Sequence, residues 1–106
     1  MNLRLVETLP ALAEELATLL VAAGQFDLAR QVPELMIVDR CGCEDDFCAS
    51  FYTQPKPNGA YAAAHDCLDL RADRGAIILD VVQGQVMFVE VLSREDIRRK
   101  LRAAIP

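Results

Sequence analysis

Leu9, Leu12, Leu16, Leu19, Leu20 and Ala23 recur at spacings of three and four, the single apolar stripe of an amphipathic helix. Thr8 stands where an N-cap would, Pro10 suits a first turn, and Gly24 is a natural stop. A second, short helix is predicted over Asp27 to Gln31, ended by Pro33. The period then changes. Leu35 to Arg40 and Phe47 to Thr53 are rich in strand-forming residues, with Cys41 to Asp46 as the end of a hairpin between them. Residues 54–64 read as a long loop, since Pro55 and Pro57 cannot donate to a ladder and Asn58-Gly59 favours a turn. His65 to Arg71 follows as a third strand with Leu68 and Leu70 on one side.

The clearest signal is Ala76 to Val82 and Gln85 to Leu92, two β-branched runs joined by Gln83-Gly84, a two-residue hairpin. A regular ladder from that turn puts Ile77, Leu79, Val81 and Phe88 on one face. It puts Ile78, Val82, Met87, Val89 and Val91 on the other. Two apolar faces imply central strands, or a sheet covered by helices on one side and by a partner on the other. Ser93, followed by Asp96, is placed to cap a last helix with Ile97, Leu101 and Ile105 as its stripe. Arg98, Arg99, Lys100 and Arg102 suit its C-terminal half, where the macrodipole is negative. Arg94, Arg98 and Arg102 recur every four residues, and a solvated face is the expectation for them. The predicted fold is α+β: a mainly antiparallel sheet of about five strands with an N-terminal and a C-terminal helix, in one domain over residues 1–106.

At 53% hydrophobic, the chain has material for one core. Its net charge of −5 disfavours contact with phosphate backbones, so nucleic acid is not an expected partner. The charge is uneven: residues 34–50 carry five acids and one Arg, residues 93–106 five bases and two acids. Leu9 to Ala23 is interrupted by Glu14-Glu15 and is short of the ~20 apolar residues of a membrane span. Residues 1–7 show no secretory signal. The expected compartment is the cytoplasm, where thiols stay reduced, and no membrane is expected as a partner.

That compartment changes how the four cysteines are read. If Cys43 pairs with Cys48 across the first hairpin, alternation places Cys41, Cys43 and Cys48 on one face of its tip. His65 and Cys67 share a face of the third strand. Were that strand to lie beside the hairpin, these five residues would converge as soft ligands for tetrahedral zinc, with Asp66 or Asp69 orienting the imidazole. The spacing C-x-C-x4-C…H-x-C lacks the paired C-x2-C of common zinc fingers. Inert buried thiols and a disulfide or redox pair are open beside the metal site. The redox pair is either Cys43–Cys48 across the strands or Cys41-Gly42-Cys43 itself. Glu44, Asp45 and Asp46 argue against a reactive thiolate, because carboxylates raise a neighbouring thiol; as a turn they are expected to be solvated. His65, the single histidine, is otherwise a hydrogen-bonded structural residue, and nothing supplies an oxyanion hole for Cys–His catalysis. Tyr52 and Tyr61 can line a pocket or sit in the sheet. No phosphate-binding glycine loop is present.

The run RCGCEDDFCASFYT, with HDCLDL and ILDVVQGQVMFVEVL after it, resembles a group of small uncharacterised bacterial proteins with a C-x-C…C hairpin and an LDV…G…VEVL hairpin, over residues 38–92. The resemblance implies a bacterial source and the hairpins, and no chemistry. The expected function is a non-enzymatic interaction or regulatory domain with a structural zinc site, forming a homodimer or meeting another protein. The alternative is a thiol–disulfide redox protein using Cys41-Gly42-Cys43.

Overall fold

A computed structural model describes residues 2–43, 45–55 and 64–106. The chain begins with a short strand, β1 (Leu3–Arg4), and a single helical turn, α1 (Leu5–Thr8). The main N-terminal helix, α2, is Pro10–Ala22. Thr8 does not cap it: Thr8 closes α1, and Leu9 is the cap position with extended-side φ −131°. The cause is Pro10, which lacks an N–H and bars the helical region to the residue before it. The break therefore falls on Leu9. Gly24, at φ +74°, ends the helix as expected. Leu9, Leu12, Leu16 and Leu20 are buried.

Helix α3 (Phe26–Gln31) runs into a 3-10 turn, Val32–Glu34, that contains Pro33. The predicted strand 35–40 is divided between two sheets. Met36–Ile37 (β2) pairs with β1, and Asp39–Arg40 (β3) pairs with Phe51–Tyr52 (β4). The chain changes sheets at Val38, whose N–H already donates to Tyr52 O at 2.9 Å. The remaining strands are β5 (His65–Asp69), β6 (Ala76–Val82) and β7 (Gln85–Leu92), and α4 (Glu95–Ala104) closes the chain. The main sheet is antiparallel in the order β3-β4-β7-β6-β5, with the β6–β7 hairpin at its middle. The predicted α+β class and five-stranded sheet are therefore observed, with the small β1–β2 sheet in addition. The predicted loop falls mostly on 56–63, outside the described residues.

Two expectations about faces and caps are corrected. Gln83 and Gly84 both have positive φ, +52° and +77°, the backbone of a tight two-residue hairpin turn. Next to the turn Val81 pairs with Val86, but Asp80 then pairs with Phe88, so Met87 is an extra residue in β7. One bulged residue flips every side chain beyond it. Val89 and Val91 thus lie opposite Leu79 and Ile77 in the core, and Phe88 lies opposite Asp80 on the other face. The apolar residues of the hairpin are concentrated on the helix-covered side. Ile78, Phe88 and Leu92 are left half-buried on the outer side.

At the start of α4, Ser93 is not the cap. It sits in the left-handed region at φ +60°, and Arg94 holds the cap position without a side-chain cap bond. Arg94 is also not part of a solvated face. It is 6% exposed and forks onto Glu15 of α2, with bonds of 2.9 and 2.8 Å. A bidentate guanidinium–carboxylate pair ties the start of α4 to α2. Ile97 and Leu101 complete the core.

Candidate metal centre

Cys41 directly follows β3, and its N–H donates to Ser50 O at 2.8 Å. The β3–β4 register, Asp39 opposite Tyr52 and Arg40 opposite Phe51, continues outward to set Cys43 across from Cys48. A turn closes the loop, with Cys48 N–H donating to Asp45 O at 3.3 Å. Cys48 is bridged on its other side to Leu92. Strand alternation then gathers the three thiols: one ligand atom from each of Cys41, Cys43 and Cys48 lies within 4.8 Å of the others. Cys48 is buried, and the other two are half-buried. Tetrahedral zinc with bonds of ~2.3 Å holds its sulfurs about 3.8 Å apart, so small side-chain rotations suffice to close the trio on an ion.

His65 and Cys67 do not join them. β4 occupies the free edge of β7, which leaves β5 only the outer edge of β6. The third strand is therefore at the far side of the sheet from β3, not beside the first hairpin. There His65 Nε2 meets Asp80 Oδ1 at 2.9 Å, the hydrogen-bonded histidine of the alternative reading. Cys67 is opposite Asp80, and its thiol is raised by burial and by the carboxylates of Asp80, Glu90 and Asp69. Asp66 and Asp69 go with that strand and are remote from the trio for the same reason.

All four cysteines are free thiols. Within the trio the protons are unequally held. Cys43 is pushed up to about 11, first by its thiol contact with Cys48 and then by burial. Cys48 is lowered: burial acts upward, but the Ser50 hydroxyl, the Cys43 thiol, the Ser50 amide and Cys41 together outweigh it. Asp45 and Asp46 are exposed, as a solvated turn requires, and Glu44 is outside the described residues.

Ser50 is a participant the sequence reading passed over. It is buried, two residues beyond Cys48, and its Oγ lies 3.5 Å from Cys48 Sγ. The same oxygen accepts from Val91 N–H at 2.9 Å and can donate to Val91 O at 3.4 Å. When Cys48 is a thiolate the hydroxyl can turn its one hydrogen to sulfur. The period-two spacing Cys48-x-Ser50 carries that signal. Three arginines also surround the loop. Arg40 donates to Cys41 O at 3.3 Å, Arg102 to Cys43 O at 3.5 Å, and Arg98 pairs with Asp46 at 3.7 Å.

Tyr52 lies in the sheet and packs on Phe88 with ring centroids 4.5 Å apart; Tyr61 is outside the described residues. No helix among those residues is long and apolar enough to cross a membrane. Comparison with family models, curated proteins and solved structures gives no match. What fold and site together define is an α+β domain with a three-thiol cluster that could hold a metal ion.

Proposed function

We propose that the chain is a small non-enzymatic interaction or regulatory domain in which Cys41, Cys43 and Cys48 hold zinc. The observation that supports this is the convergence of three thiols within 4.8 Å at the end of a short hairpin. Only two residues in each of β3 and β4 hold that hairpin as regular ladder, so a metal has structure to add. Thiolate donors suit zinc. A fourth ligand is solvent or a group from outside the described residues.

Protein purified without chelator is expected to carry about one zinc per chain and to hide three of its four thiols until denatured. Chelation is expected to lower the thermal midpoint. Ser50→Ala is expected to weaken zinc about tenfold, because a group that orients a ligand is worth 10–100-fold in affinity. Metal-free protein with four freely reacting thiols in the native state sinks the reading.

The contact between Cys43 and Cys48 that dominates the Cys43 shift supports one competing reading, a redox couple. The couple this contact favours joins Cys43 and Cys48 across the strands, beside the alternative within Cys41-Gly42-Cys43. Loss of two hydrogens from the intact mass on mild oxidation, reversed by dithiothreitol and abolished by Cys43→Ser but not Cys41→Ser, favours it over zinc.

The homodimer belongs to the same proposal. Its support is the outer sheet face, where Ile78, Phe88, Leu92 and Tyr52 are half-buried. Val89 and Val91 do not contribute, being in the core. Sedimentation at micromolar concentration is expected to show twice the chain mass, and Phe88→Lys to return it to the single chain. A monomer in the unsubstituted protein rejects the dimer. A bacterial setting, and a cytoplasmic one in which thiols stay reduced, are part of this reading too.

A further inference from the structure

We infer that the thiol trio controls the last turn of the C-terminal helix, so that residues 102–106 are the element that responds to metal. The inference rests on the zinc reading and names the regulation of that same site. It starts from how the loop 41–48 is held. Its return strand is tied to the entry of α4 by Ser93 N–H donating to Phe47 O at 2.8 Å. Further along the helix, Arg98 reaches Asp46 at 3.7 Å and Arg102 donates to Cys43 O at 3.5 Å. At the helix end, Arg40 spans the gap: its Nε donates to Ile105 O at 2.9 Å and its Nη1 to Cys41 O at 3.3 Å. Contacts between α4 and the loop that would hold the metal therefore run from Ser93, just before the helix, to Ile105 at its C-cap, the last of them through Arg40.

The two carbonyls these arginines grip belong to two of the metal-binding residues. Ligation through Cys41 and Cys43 Sγ fixes the backbone at both residues and so aims both carbonyls. Without metal, the joint between them is Gly42, exposed and with nothing within 4 Å of where a Cβ would stand. Each arginine contact must then also order a loose loop, at about 1–2 kcal/mol per residue fixed. With metal that ordering is already done, and the same contacts form at lower cost. Electrostatics acts in the same direction. Three thiolates on a divalent ion leave a net negative charge, and Arg40, Arg98 and Arg102 are the guanidinium groups beside it. Ile97 and Leu101 are anchored in the core; the part free to change is the turn beyond Leu101, where Ile105 is only half-buried. Coupling is reciprocal, so fastening that turn also tightens the metal.

Hydrogen exchange of the full chain, read by mass spectrometry with saturating zinc and with EDTA, tests this. Zinc is expected to slow the amides of Arg102 to Ile105 about tenfold, within the 5–150-fold range of site-to-site couplings. Arg40→Gln and Arg102→Gln are expected still to take one zinc at saturation, with weaker affinity. The slowing at the C-terminus should shrink to within about twofold in both. If zinc binds and protects residues 41–48 but leaves the C-terminal amides unchanged, the coupling is wrong and the zinc reading stands. If zinc does not bind the unsubstituted chain, both fall.

Discussion

Gly75→Ala is expected to cost about 3 kcal/mol or more, a lowering of the thermal midpoint by more than about 12 °C. Two costs add. Gly75 sits at φ +63°, a region that charges an alanine about 1–2 kcal/mol. The second is steric: a Cβ there would stand 2.2 Å from Leu92 O and 3.1 Å from both Ser93 O and Arg94 Cγ. The nearest obstacle is backbone at the end of β7, which cannot rotate away. Relief requires parting Ala76 from Leu92, the pair that begins the central hairpin, and pressing on the arginine that joins α4 to α2. Gly84→Asn is the control. It has a similar φ, +77°, and open space around it, so it pays the conformational cost alone, a few tenths of a kcal/mol for Asn in this type of turn. Comparable losses in the two variants would rule out a steric cost at Leu92 O.

The second large effect is at the Glu15–Arg94 pair. Glu15→Ala is expected to destabilise by about 2–3 kcal/mol, below the 3–5 of a fully buried pair because the Glu15 side chain is 28% exposed. The damage is the stranded guanidinium. Arg94 is almost wholly buried, and its Nε already has no hydrogen-bond partner among the described residues. Among the described residues Asp96, at 3.5 Å, is the only other carboxylate paired with it. The reverse substitution, Arg94→Met, is expected to cost less, since Glu15 can turn to water. The double variant Glu15→Leu/Arg94→Met should regain most of the stability, because an apolar pair of similar volume pays no desolvation. Urea unfolding of the four proteins forms a complete cycle. A loss under about 0.5 kcal/mol for Glu15→Ala would place the pair among ordinary surface ion pairs.

Neither residue of that pair could be singled out along the chain. Glu15 is one of two acids in a mostly apolar helix, and Arg94 one of three arginines spaced by four at the last. Their partnership spans 79 positions and exists only because α2 and α4 pack on the same sheet face. Arg40 and Arg102 were hidden for the same reason. Each acts on the thiol trio through hydrogen bonds that close when the sheet and last helix are assembled.

What local pattern alone determined is what is governed by local forces. The stripe from Leu9 to Leu20, the stop at Gly24 and the hairpin around Gln83-Gly84 follow from side-chain period and from the backbone freedom of glycine. The same holds for the gathering of Cys41, Cys43 and Cys48, since alternation along two strands joined by a short turn needs no distant partner. Tertiary structure decided the rest. Strand order is not written in any strand: β4 took the open edge of β7, and His65 and Cys67 were carried to the opposite side of the sheet. The single extra residue at Met87 turned Val89 and Val91 inward and Phe88 outward. A bulge is a compromise between the two-residue turn, which sets one register, and burial of the valines, which demands another. That balance is struck only when the helices supply a core for those valines to enter.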